Sequence, residues 1–244
     1  MGAIRIKKLD DSQVAKFDHD FVSEARFAAT LTLIDRDVPS GVFSFLDIGG
    51  GRGFFADRIL DHYPRATGTL LDNSGLMLEQ NELHSRKTLV LGSVEDAHEV
   101  LPRQQYDIIF LNFALHHFIV NSYAKTRALQ RATLAISGDL LGPTGRISIV
   151  ENMCNGAVLQ NWPSFVIFQL TSSKVLAPLV RRLGANTAGV GVCFLDKRQW
   201  RLEIARAGLR VFDYEEEYYK PMARVRRLAL LMRSYHVGHF WVGR

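Results

Sequence analysis

Leu46-Asp47-Ile48-Gly49-Gly50-Gly51-Arg52-Gly53 follows one apolar run and precedes a helical pattern, and Asp72 closes the next apolar run. Read together, these residues describe a strand, a glycine turn, a helix and a carboxylate at the tip of the following strand. An α/β sheet holds an adenosine-containing ligand in this way. Glycines let the backbone turn tightly and approach a ligand closely, and a strand-tip carboxylate accepts both ribose hydroxyls. The spacing also separates ligands. A dinucleotide fingerprint G-x-G-x-x-G begun at Gly49 requires glycine at position 54, where Phe54 stands.

Outward from this turn, apolar runs and helical patterns alternate, which predicts a largely parallel sheet with helices on both faces. The predicted strands are Phe43–Ile48, Gly68–Asp72, Thr88–Leu91, Asp107–Asn112, Arg146–Glu151, Leu209–Tyr214 and Val237–Val242. Ile108-Ile109-Phe110-Leu111 is a continuous apolar run, as a strand covered on both faces should be. Predicted helices are Phe54–His62, stopped before Pro64, then Leu76–Leu83, Tyr123–Ile136 and Asp196–Ala207, the last opened by an Asp cap and closed by Gly208. Gly142-Pro143-Thr144-Gly145 reads as the turn into the fifth strand. Two regions exceed a minimal sheet. Residues 13–35 carry a helical period through Val14, Phe17, Phe21, Ala25, Ala28 and Leu31. Residues 155–194 form an insertion, expected to be mostly helical because uncommitted loops of that length are uncommon. Both are expected near the carboxyl ends of the strands as substrate lids on a single domain, residues 1–244. The insertion's aromatic and aliphatic residues suit a pocket, a dimer face or a lid core equally.

The chain's 244 residues are 47% hydrophobic and 23% charged, an ordinary globular composition. No apolar stretch approaches the roughly 20 residues of a membrane-spanning helix, so no membrane partner is expected. The first residues, Met1-Gly2-Ala3-Ile4-Arg5, open no signal-peptide core. Cys154 and Cys193 supply neither a disulfide framework nor metal-ligand spacing, and a cytoplasmic setting is the default. The net charge is +5 and the pI about 9.3. Its clusters, Arg181-Arg182, Lys197-Arg198 and Arg224-Val225-Arg226-Arg227, are scattered and read as solvated faces rather than a nucleic-acid surface.

From Asp47 through Gly49, Gly51 and Gly53 the pattern is Asp-x-Gly-x-Gly-x-Gly, which resembles the first motif of class I S-adenosylmethionine-dependent methyltransferases. Tyr106 to Phe118, ending in Leu115-His116-His117, resembles the fourth-strand segment of their small-molecule branch. The resemblance covers roughly residues 42–152, with weaker continuation through Phe194–Gly208 and His239–Val242. It implies a doubly wound, mostly parallel seven-stranded sheet whose last strand is antiparallel, with the N-terminal helix and the insertion added. The implied reaction is methyl transfer from S-adenosylmethionine to an O, N or C nucleophile of a small molecule, leaving S-adenosylhomocysteine. The implied cofactor-binding residues are Asp47, Gly49, Gly50, Gly51, Gly53, Asp72, Asn73, Ser93, Val94 and Asn112. Ser93 stands where the family often has Asp, which shifts adenine recognition to Ser93 and the backbone near Val94. Glu95 and Asp96 read as caps of the following short helix.

His117, His116 and His19 are the candidate bases, since imidazole titrates near neutrality; packing at the start of the next helix is the alternative for the adjacent pair. Asn112 at the fourth strand's tip supplies no carboxylate to join Glu151-Asn152, so no metal is expected. Phe113-Ala114-Leu115 after Asn112 also departs from the Asn-Pro-Pro-Tyr pattern of adenine N6-methyltransferases. The expected protein is a monomer or homodimer. Rival readings are a nicotinamide-dependent oxidoreductase or epimerase, an RNA methyltransferase, and a non-catalytic cofactor-binding protein.

Overall fold

The computed structural model describes residues 6–14, 16, 19–102, 105–218, 227–228 and 230–244. Residues 1–5, Phe17 of the predicted N-terminal helix, and Arg224, Val225 and Arg226 of the basic run lie outside the described residues. The strands are β1 (Ser44–Ile48), β2 (Thr67–Asp72), β3 (Lys87–Leu91), β4 (Tyr106–Asn112), β5 (Leu141–Gly156), β6 (Arg210–Tyr218) and β7 (Met232–Gly243). They form one sheet in the order β3-β2-β1-β4-β5-β7-β6. β1 to β5 are mutually parallel, and β7 runs antiparallel to both β5 and β6. The chain order reverses direction at β1, where neighbouring connections leave toward opposite faces. Ligands bind at such a switch point, outside the carboxyl ends of the strands.

Side-chain alternation along β1 and β4 builds two cores. Phe45, Ile108 and Phe110 pack under α2 (Glu24–Asp37) and α3 (Phe54–His62), with Ile34, Ile59 and Leu60. Leu46, Ile48, Ile109 and Leu111 face the opposite core, beneath α6 (Tyr123–Asp139) and α9 (Lys197–Arg206), with Leu134, Trp200 and Ile204. The continuous apolar run in β4 thus follows from burial on both sides. Local signals set the helix ends. Ser122 caps α6, Asp196 and Gln199 make a reciprocal capping box on α9, and Gly208 follows it at φ 77°.

Several expected boundaries move. The N-terminal helix predicted over residues 13–35 is two helices, α1 (Asp11–Val14) and α2. The chain restarts at Ser23, whose hydroxyl accepts from the Arg26 N–H. Asp20 just before it accepts from the Val22 N–H and pairs with Arg58 at 2.5 Å. These polar anchors compete with a continuous helix. The helix after β2, α4, spans only Gly75–Glu79, because the Asn81 amide donates to the Met77 carbonyl and to Gly51. Residues 142–145, read as a turn, already belong to β5, which shifts register between Tyr106 and Ile108 of β4. β5 and β7 pair from Ile147–Val242 out to Gly156–Met232. The outer part of this ribbon carries Asn152, Asn155 and Ser234, with an Asn155–Ser234 hydrogen bond of 2.9 Å, so no apolar run marked it in sequence. Past β3, a 3₁₀ turn (Val94–Asp96) leads into α5 (Ala97–Val100). Within the insertion lie α7 (Trp162–Ser172) and α8 (Ala177–Arg182).

Candidate active site

A cavity of about 530 Å³ opens over the carboxyl ends of β1, β2, β3 and β4. That is within the range of small-molecule and cofactor sites, ~300–1,000 Å³. Its floor is the glycine turn. The Gly49 N–H donates to the Leu71 carbonyl at 2.7 Å, and the Gly53 N–H to the Gly50 carbonyl at 2.9 Å. Gly51 sits at φ 56° with open space where a Cβ would project, so the backbone itself forms the wall. Gly53, at φ 80°, is the N-cap of α3 and lies against the Asn81 side chain. It is outside the cavity lining and shapes the turn from behind, whereas Gly49, Gly50 and Gly51 line the cavity.

Asp72 at the tip of β2 orders this floor. One carboxylate oxygen accepts from the Gly51 N–H at 3.0 Å and the other from the Ser74 N–H at 2.8 Å. Burial pushes its pKa up, against the lowering effect of those hydrogen bonds. Asp47 is only 1% exposed, and its Oδ2 has no hydrogen-bond partner among the described residues. Burial first, then the charges of Asp72 and Asp20, push Asp47 up to about 8. Asn112 at the tip of β4 has both side-chain polar atoms buried and likewise without partners among the described residues. Phe113 beside it adopts φ 53°, a left-handed backbone uncommon for a bulky side chain and of the kind that collects at functional sites. Buried polar atoms left unpaired are costly. Asp47 and Asn112 both line the cavity, so its floor is polar as well as glycine-rich. Asn73, Ser93 and Val94 complete this side of the cavity.

Glu95 does not cap the short helix. Its carboxylate accepts from the Ile6 N–H at 3.0 Å and from the Ser93 hydroxyl, while Asp96 makes no side-chain cap. The first described residues are therefore tied across the sheet ends, and the Lys8 ammonium donates to the Asn73 carbonyl at 3.1 Å. Sequence periodicity gave no sign of this strap, because its partners lie far away in the chain.

All three candidate histidines line the same cavity. His116 and His117 lie in a 3₁₀ turn after β4 with ring centroids 4.1 Å apart, and His19 stacks on Phe21 at 4.2 Å. Nδ1 of His116 is 2.6 Å from Glu151 of β5, whose other oxygen accepts from the Leu115 N–H at 2.7 Å. Burial drives both partners toward their uncharged forms, His116 down to about 3 and Glu151 well above the carboxylate range. His117 is held well below its ordinary value by burial and by His116. Glu151, considered in sequence only beside Asn152 as a possible metal ligand, instead anchors the histidine turn. The signal was present as a carboxylate closing an apolar run, as in Asp72. Among the described residues no cluster of three His, Cys, Asp or Glu is placed to hold a metal ion.

No residue of 155–194 lines the cavity; the insertion reaches it through the N-terminal segment instead. The Gln13 amide donates to the Asn186 carbonyl at 2.6 Å, and Lys16 reaches the Asn186 side chain at 3.2 Å. Residues 6–9, Val14 and 19–22 then form the cavity's outer wall, pinned to α3 by Arg58. The described lid is thus N-terminal, and the insertion is its buttress.

Residues 46–147 match a family model described as a methyltransferase domain. The chain is 36% identical over 73 residues to malonyl-[acyl-carrier protein] O-methyltransferase 2 of Ilyobacter polytropus, covering 29% of this chain and 28% of that protein. It is 28% identical over 121 residues to the mitomycin biosynthesis 6-O-methyltransferase of Streptomyces lavendulae, covering 47% of this chain and 31% of the relative. The match thus spans less than a third of either curated relative. An S-adenosylmethionine-dependent methyltransferase of Geobacter sulfurreducens, solved with S-adenosyl-L-homocysteine, shares the fold with a TM-score of 0.57 at 16% identity over 95% of this chain and 96% of that one.

Proposed function

We propose that this chain acts as a class I S-adenosylmethionine-dependent methyltransferase, transferring a methyl group to an O, N or C nucleophile of a small metabolite. Bound in the cavity, S-adenosylmethionine supplies a methyl group already activated on a sulfonium. The observation that carries the reading is the convergence of Asp72, the unpartnered Asp47 oxygen and the unpartnered Asn112 amide on one cavity floor.

The chain's own residues then have defined tasks. Asp72, already ordered by two backbone N–H groups, accepts from the ribose hydroxyls. Asp47 faces the amino-acid ammonium across the glycine turn, with Gly49, Gly50 and Gly51 giving close backbone approach and Gly53 fixing the turn. Ser93 and Val94 flank the adenine with Asn73, and Asn112 meets the polar edge nearest the acceptor. In-line displacement at an activated methyl needs alignment and exclusion of water more than proton transfer. The N-terminal wall at His19 and Phe21 provides the exclusion. Where the acceptor is a hydroxyl or amine, a neutral imidazole takes its proton. His117 is the first choice, since Nδ1 of His116 is committed to Glu151, and His19 is the base available from the lid.

Both curated relatives are named O-methyltransferases, one for mitomycin biosynthesis, so oxygen acceptors of secondary metabolism are the first to test. Scattered surface cations favour a small molecule over RNA. We place the protein in the cytoplasm as a monomer or homodimer; the two buried cysteines, unpaired in the structure, fit a reducing setting. Calorimetric titration decides the cofactor: S-adenosylhomocysteine is expected to bind and NAD(H) not, and the reverse result sinks the assignment. Salt-dependent RNA binding with several released counterions would point to an RNA methyltransferase instead. For the base, His117→Ala is expected to lower turnover and alter its pH profile; an unchanged profile removes His117 from the mechanism.

A further inference from the structure

Between Glu151 and Asp196 the sequence contains no acidic residue, and its cations there are Lys174, Arg181 and Arg182. Within that stretch Val158, Leu159, Trp162, Val175, Leu179 and Leu183 are exposed. Such a surface is unusual on a soluble chain, where large apolar patches mark interaction sites. α7 buries Pro163, Ser164, Phe168 and Thr171 and leaves Trp162, Phe165 and Leu170 outward. Leu231, also exposed, is tied to its approach by the Ala157 N–H at 2.8 Å, with Arg227 and Arg233 exposed nearby in the chain.

The patch adjoins the cavity's outer wall. Lys16 and Gln13 bond to Asn186 just past α8, and Lys7, which lines the cavity, lies within electrostatic reach of Lys174. Asp10 lies within electrostatic reach of Arg181. A two-fold contact between copies through this face would set Lys174, Arg181 and Arg182 against their own kind with little acid to offset them. Exposed aliphatic residues with Trp162 and Phe165, accompanied by Lys174, Arg181 and Arg182 and by no acidic residue of the same stretch, instead suit an anionic membrane surface. From that charge complementarity we propose that the face formed by residues 158–183 docks on an anionic lipid bilayer, beside the mouth of the cavity. The docking is peripheral. No helix among the described residues is long and apolar enough to cross a membrane, and the docking departs from the sequence expectation of no membrane partner, which rested on the lack of a spanning segment.

The proposal stands without the methyl-transfer reading, and its test needs no turnover. The full chain is mixed with vesicles of phosphatidylcholine and phosphatidylglycerol in equal parts, or of phosphatidylcholine alone. Binding is followed by sedimentation and tryptophan emission. Trp200 and Trp241 are fully buried and Trp162 is 41% exposed, so a blue shift reports this face. Binding with a blue shift is expected on anionic vesicles at low salt, falling at least about tenfold in about 0.5 M salt as charges are screened. Arg181→Ala with Arg182→Ala should weaken it about 30-fold, and Val175→Asp with Leu179→Asp should abolish the shift. Unchanged S-adenosylhomocysteine affinity or circular dichroism shows that the variants are folded. No binding to anionic vesicles, equal binding to both lipids, or binding indifferent to these variants overturns the proposal. So does self-association or capture of an acidic protein through this face without lipid binding.

Discussion

Lowering the pH from about 7.5 to about 6 is expected to weaken S-adenosylhomocysteine binding about 25-fold, or ~1.9 kcal/mol, through Asp47. The reasoning starts from a carboxyl group that burial and neighbouring acids hold at about 8 in the open cavity. A ligand ammonium is attracted to the carboxylate and not to the acid, so binding must expel the proton. Below the free-site pKa, affinity then rises about tenfold per pH unit. At about pH 7.5 roughly a quarter of the sites are ionised and at about pH 6 roughly one in a hundred, which gives the ratio. The ligand's own amino group stays largely protonated below about 7.5 and does not generate the slope. Calorimetry in two buffers of different ionisation enthalpy should find close to one proton released per ligand at about pH 6.5. Burial raises Asp72 in the same direction, so Asp47→Asn identifies the group responsible: its affinity should be lower at about pH 7.5 and nearly flat with pH. A flat profile in the unaltered protein, or a slope that survives in Asp47→Asn, refutes the reasoning.

Other outcomes follow from the same geometry. The sign of the Asp47 shift also governs stability. A pKa raised in the fold means stability that is full below about pH 4 and lost progressively as the pH rises to about 8, so cofactor-free Asp47→Asn should exceed the parent by more than about 2 kcal/mol at pH 8 in urea titrations. Glu151→Ala strands the Leu115 N–H and the His116 Nδ1 in the interior and should cost about 1–3 kcal/mol of unfolding free energy for each group left unpaired, with Glu151→Gln costing less. Asp72→Ala should weaken S-adenosylhomocysteine binding ~10–100-fold, from the loss of charge-assisted hydrogen bonds, and an unchanged dissociation constant would separate Asp72 from the ribose. Gly51→Ala and Gly53→Ala both put a Cβ at positive φ and should each cost stability, about 1–3 kcal/mol. Gly51, with open space for the Cβ, should lose ligand affinity as well, whereas Gly53 also meets the Asn81 side chain and should be the less stable of the two.

The glycine turn, Asp72 and the strand–helix alternation were legible because each depends on neighbours within one βα unit. Positive-φ glycines, a carboxylate ending an apolar run and an Asp or Ser before a helix act through local backbone geometry, so the chain displays them in order. The antiparallel β7 came with the family resemblance, whereas the outer β5–β7 ribbon was invisible because its polar residues carry no apolar period. Only the tertiary structure decided which segment walls the cavity. Ile6 meets Glu95, Lys8 meets Asn73, Asp20 meets Arg58, and His116 meets Glu151 across separations that no periodicity records. The sequence named His19, His116 and His117 separately. Packing of the N-terminal segment over the sheet placed them around one space, and burial, which no sequence pattern measures, decided that His116 and His117 stand there uncharged.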